Sequence, residues 1–95
     1  MKKTTTINLA GLVFHIEEDG YQVLRDYFDE VKRIFSTQEG VDEMISDIEA
    51  RFAELFQERL NPYKEVLTSQ DVDEVIAIMG MPNELDEDFE HENAY

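Results

Sequence analysis

The chain has no cysteine and no tryptophan, only two prolines and four glycines, and eight basic residues against 23 acidic ones. Without cysteine there is neither a disulfide framework nor a thiolate metal site, so stability has to come from packing. That fits a reducing compartment without requiring one. A formal net charge of −15 argues against direct binding to DNA or RNA phosphates, where affinity comes from clustered Lys and Arg. Anionic membrane surfaces repel such a chain for the same reason. No stretch approaches the run of about 18 apolar residues that marks a spanning helix. The start, Met1-Lys2-Lys3 and then Ile7 to Phe14, has the outline of a short signal peptide but reads as a structured start, because Asn8 interrupts the apolar run and no small-residue cleavage site follows.

What is present suffices for one domain. The 95 residues are 42% hydrophobic and include six Phe and four Tyr. A domain of this size hides about 60–65% of the surface its unfolded chain exposes, so one modest core is expected and a second is not. The charge is unevenly placed. Lys64 is the last basic residue, and ten Asp or Glu follow between Glu65 and Tyr95. The division expected is a compact domain over residues 1–82 and an acidic tail or linker over 83–95. The plain reading of the acidity is solubility; the sharper one is a basic partner, or mimicry of a nucleic acid.

The hydrophobic period changes along the chain. Thr5, Ile7 and Leu9 alternate with polar neighbours, and Leu12, Phe14 and Ile16 do so after Ala10-Gly11. This predicts a hairpin, with a turn weakened by Ala at a position that needs positive φ. Glu17-Glu18-Asp19 then supplies an N-cap and negative charge for a helix over about 20–36, whose stripe is Tyr21, Leu24, Phe28, Val31 and Phe35, widened by Tyr27 and Ile34. A second helix is expected from Val41 to Leu60, ended by Asn61-Pro62. Val66-Leu67 either adds a short third strand near 65–67 or packs without pairing. Thr68-Ser69-Gln70-Asp71 resembles a capping signal for a third helix through Val72, Val75, Ile76 and Met79, with Gly80 as a left-handed C-cap and Pro82 beyond. The fold class is therefore α+β: an N-terminal β-hairpin followed by three amphipathic helices sharing one core.

A search for chemistry finds no catalytic, cofactor-binding or metal residues to nominate. His15 and His91 have no neighbouring ligand at metal spacing. No serine sits in a nucleophile-elbow setting, and glycines 11, 20, 40 and 80 read as isolated turn or cap positions rather than a phosphate loop. Asp86, Asp88 and Glu90 alternate, but the turn glycine and later Glu of a calcium loop are missing. The aromatic stripe reads as core.

Three runs, Ile7 to Tyr21 (INLAGLVFHIEEDGY), Asp47 to Phe56 (DIEARFAELF) and Val72 to Pro82 (VDEVIAIMGMP), resemble in that order the N-terminal cytoplasmic region of phage-shock-protein C family proteins from Bacteroidetes-type bacteria. The resemblance covers roughly residues 3–90. It implies non-enzymatic, cytoplasmic work at the inner face of the inner membrane, relaying envelope stress through protein contacts, with no cofactor. In that family a membrane-spanning segment follows this region. It is missing here, so the sequence reads either as an excised domain or as a free-standing relative.

The leading expectation is thus a protein-interaction or adaptor domain of a membrane-associated stress-response regulator, its protein partner unidentified. The alternative is an acidic nucleic-acid mimic that binds a basic DNA-binding protein. Within the tail, Leu85 and Phe89 are the large apolar residues, and both are nominated as partner-binding.

Overall fold

The computed structural model describes residues 3–82. The first strand, β1 (Thr4–Leu9), and the second, β2 (Leu12–Glu17), pair antiparallel in unbroken register from Thr4↔Glu17 to Leu9↔Leu12. The two residues between them adopt positive φ, 53° at Ala10 and 82° at Gly11, as the right-handed strand twist demands of so tight a turn. The Asn8 Oδ1 accepts the Gly11 N–H at 3.2 Å, which gives the turn a side-chain brace.

The first helix, α1 (Glu18–Phe35), leaves β2 with no loop. The Glu18 N–H donates to the Lys3 carbonyl at 2.8 Å, so the helix start is tied to the hairpin. The helix begins two residues earlier than its apolar stripe suggested, and its buried line is Gly20, Leu24, Tyr27, Val31 and Phe35. Tyr21 lies at the surface. Gly20, expected as a turn or cap, is instead a packing residue. A methyl group there would stand 3.2 Å from the Ser69 backbone and 3.3 Å from the Val72 side chain.

The second helix, α2 (Val41–Arg59), follows a left-handed Gly40, and a two-residue strand β3 (Val66–Leu67) precedes the third helix, α3 (Ser69–Met79). The expected short strand does form: Val66 and Leu67 pair parallel to His15 and Ile16. Among the described residues the sheet order is β1-β2-β3.

All three helices contribute to a single core on one face of this sheet. Leu9, Phe14, Ile16 and Leu67 point into it, whereas Thr6, Asn8, Val13 and His15 are exposed. Phe52 holds the centre, its ring 5.2 Å from that of Tyr27, 5.4 Å from Phe28 and 5.6 Å from Phe56; Phe56 in turn meets Phe14 edge-on at 5.9 Å. Such tilted and edge-to-face pairs each add about 0.5–1.5 kcal/mol beyond area burial.

Gly80 ends α3 with its N–H on the Ile76 carbonyl. Its φ of 94° is positive as expected, but its ψ of 154° is extended rather than left-handed helical. That region is open essentially to glycine alone, and it turns the Gly80 carbonyl to accept the Tyr27 hydroxyl at 2.8 Å.

Two substitutions test this backbone. Ala10→Gly removes the left-handed strain of an L-residue and should raise stability by about 0.5–1 kcal/mol. Gly80→Ala should lower it by about 1–3 kcal/mol. Urea denaturation of both variants reads the opposite signs directly.

Candidate functional site

The buried charged residue among the described ones is Asp71, and its surroundings explain it structurally. Its Oδ2 accepts the Thr68 N–H at 2.9 Å and the Thr68 hydroxyl at 3.1 Å, while the Asp71 N–H donates back to Thr68 Oγ1 at 3.1 Å. That is a reciprocal capping box at the start of α3. Lys64 adds its ammonium, 2.9 Å from Oδ1 and 2.7 Å from Oδ2. Its position is set by a turn in which Asn61 Oδ1 accepts the N–H groups of Tyr63 and Lys64. Burial pushes the Asp71 carboxyl up, but the Lys64 and Thr68 hydrogen bonds and the Lys64 charge outweigh it and hold it below the ordinary value. These contacts make Asp71 a helix-capping residue.

Among the described residues no cluster of three His, Cys, Asp or Glu could hold a metal ion, and no helix is long and apolar enough to cross a membrane. His15 lies on the exposed sheet face, its Nδ1 3.4 Å from Thr6 Oγ1. Among the hollows formed by the described residues, two apolar-lined grooves bear on function.

The first lies between α1 and the C-terminal end of α3. Val23, Tyr27, Ile76 and Pro82 form its apolar floor, Met81 stands at its edge, and its volume is about 410 Å³. Asp26, Glu30 and Asp73 rim it. The Arg33 guanidinium hydrogen-bonds Glu30 and holds its carboxyl below the ordinary value, and Gln22 donates to Asp26 at 2.9 Å. A second hollow, beside Ala77 and Gly80, shares Asp73, Ile76 and Met81 with it. The Tyr27–Gly80 hydrogen bond fixes the width of this groove, because it joins α1 to the chain just past α3.

The second groove runs along β1. Ile7 and Leu9 of the strand and Tyr21, Leu24 and Phe28 of α1 line it, with two basic residues, Arg25 and Lys32, balancing two acidic ones, Asp29 and Glu49, in a volume of about 510 Å³. Its outer wall is the β1 edge of the sheet, which no strand among the described residues pairs with.

Leu85 and Phe89, nominated from the sequence, lie outside the described residues. Their stretch of chain follows Pro82, which lines the first groove. Sequence reasoning assigned Tyr21 and Phe28 to the core and Met81-Pro82 to a helix stop, and so missed both grooves. The one available signal was that Tyr21 and Tyr27 sit on different helix faces, so a single stripe cannot bury both.

Comparison of the chain with protein-family models, with curated proteins and with solved structures finds no match.

Asp71 yields a pH test. A carboxyl held below its unfolded value stabilises the fold above that value, about pH 3.9, and the contribution disappears as pH falls through the depressed folded value. Asp71→Ala should therefore cost about 1–2 kcal/mol at pH 7. The gap from the unmodified protein should close below about pH 4, as followed by urea denaturation across pH.

Proposed function

We propose that this chain is a non-enzymatic protein-interaction domain, the adaptor part of a membrane-associated stress-response regulator of the phage-shock-protein C type, acting at the cytoplasmic face of the inner membrane. The sequence support is the ordered resemblance of three runs. The structural observation that carries the reading is the groove between α1 and α3, an apolar floor flanked by the carboxylates of Asp26, Glu30 and Asp73. A segment suited to it has one or two apolar anchors flanked by Lys or Arg. Anchors that fill such a floor supply most of the affinity, and the rim supplies specificity and rate of encounter. Asp73 faces solvent and is well placed to meet an incoming cation.

A second reading has its own support in the net charge of −15: an acidic mimic of nucleic acid, engaging a basic DNA-binding protein over a broad surface rather than in one groove. The two readings separate on the dependence of binding on the groove.

The test is quantitative capture from a lysate of the source bacterium, comparing the unmodified chain with Asp26→Lys/Asp73→Lys and with Ile76→Asp. The charge-reversed variant, altered only at exposed positions, should keep its melting temperature and lose captured partner by roughly tenfold or more. Capture unaffected by the groove changes but displaced by duplex DNA favours the mimic. Capture indifferent to the groove and to DNA alike overturns both readings.

A further inference from the structure

Residues 1–16 contain no Asp or Glu, so all 23 acidic residues lie from Glu17 onward. The hairpin thus lies in the longest acid-free run of the sequence, where a second, equally acidic copy can approach without meeting a row of like charges. This same stretch carries the open edge of the sheet.

The register defines what that edge presents. The Lys3 carbonyl accepts the Glu18 N–H, and the pairing runs without a break to the turn. Narrow, hydrogen-bonded pairs therefore fall at the odd positions of β1, and the N–H and C=O groups of Thr4, Thr6 and Asn8 point away from β2. Among the described residues no strand pairs with them. Natural sheets protect such an edge with charged side chains, proline, a bulge or a very short strand. Thr4-Thr5-Thr6-Ile7-Asn8-Leu9 has none of these over six residues.

We infer that β1 pairs antiparallel with β1 of a second copy, about a two-fold axis through Thr6, to make one continuous sheet across a homodimer. The pairing is self-complementary, as a two-fold interface requires. Thr6 faces its own counterpart, and Thr4 faces Asn8, so every outward backbone group finds a partner. On the exposed sheet face these neighbours are hydroxyl and amide side chains, which pair favourably across strands. On the other face the incoming Ile7 points to the helix side, since matched even positions keep the odd side chains together. There it meets the groove floored by Tyr21, Leu24 and Phe28. An extended segment from an unrelated protein would satisfy the same backbone groups. The second copy is favoured because the acid-free stretch matches itself, whereas the acidic rim described above calls for a basic partner elsewhere.

The dimer is independent of the α1–α3 groove, and its salt dependence has the opposite sign. Salt screens the repulsion between two copies of charge −15, so self-association should tighten between about 0.05 and 0.5 M salt, whereas capture of a basic partner weakens.

Analytical ultracentrifugation of the purified full chain should show a mass twice 11.1 kDa, dissociating on dilution. Thr6→Pro removes an outward N–H that β2 does not use, so the hairpin survives while edge pairing is blocked. Thr6→Lys places like charges together on the axis. Both should weaken dimerisation at least tenfold, and Tyr63→Ala, at a wholly exposed position remote from β1 in sequence, should not. Hydrogen exchange reads the site itself: the Thr4, Thr6 and Asn8 amides should be protected in concentrated wild-type protein and exchange freely in Thr6→Lys. A monomer at every concentration, or a dimer in which those three amides exchange freely, overturns the inference.

Discussion

Phe52 lies against Tyr27, Phe28 and Phe56, and through them it joins α1, α2 and, by way of Phe14, the sheet. The rest of the fold depends on this contact set, because little else can hold it. A chain of this size has one core, no disulfide and a total stability of the order of 5–10 kcal/mol. Emptying the Phe52 position would cost about 3–5 kcal/mol, a large share of that total. The same economy explains the one-sided sheet. Three helices supply enough apolar surface to cover one face, so the other face and the β1 edge stay open to whatever else binds.

Tyr27 links this core to the surface. Its ring packs on Phe52, and its hydroxyl donates to the Gly80 carbonyl. Buried tyrosine needs a partner for that hydroxyl, and Gly80 supplies one only because its φ and ψ, closed to other residues, swing the carbonyl toward α1. The groove that carries the functional reading is therefore a by-product of core packing: the bond that satisfies Tyr27 also sets the spacing between α1 and the segment after α3. Gly20 acts in the same way at the other end, where absence of a side chain lets α1 approach the start of α3.

The elements were legible where a local rule acts alone. Alternation at Thr5, Ile7 and Leu9 identified the hairpin; the three-to-four-residue spacing of Leu24, Val31 and Phe35 identified α1; Thr68 and Asp71 announced their capping box. Legibility failed where the outcome depends on what packs from outside. Tyr21 and Tyr27 carry the same hydrophobic signal, and only the placement of α3 against α1 decides that Tyr27 is buried. Gly20 looked like a turn because isolated glycines usually are. The length of the β1–β2 register could be read from the pattern, but not the position of β3 on the far side of β2, which is what leaves β1 at the edge.

Acidity takes on a more local meaning in this light. A net charge of −15 first suggests solubility or a basic partner, and averaged over the surface it distinguishes neither. Its distribution is more telling than its sum. Carboxylates line the apolar groove beside Tyr27 and are missing from the first sixteen residues, so like charge discourages self-association least at the open strand. An unprotected six-residue edge elsewhere on the molecule would be an aggregation hazard. On this chain the acidity of the remaining surface favours the proposed geometry, one strand against its own copy. Charge therefore does for specificity what a proline or a bulge does in other sheets, while leaving the edge free to pair.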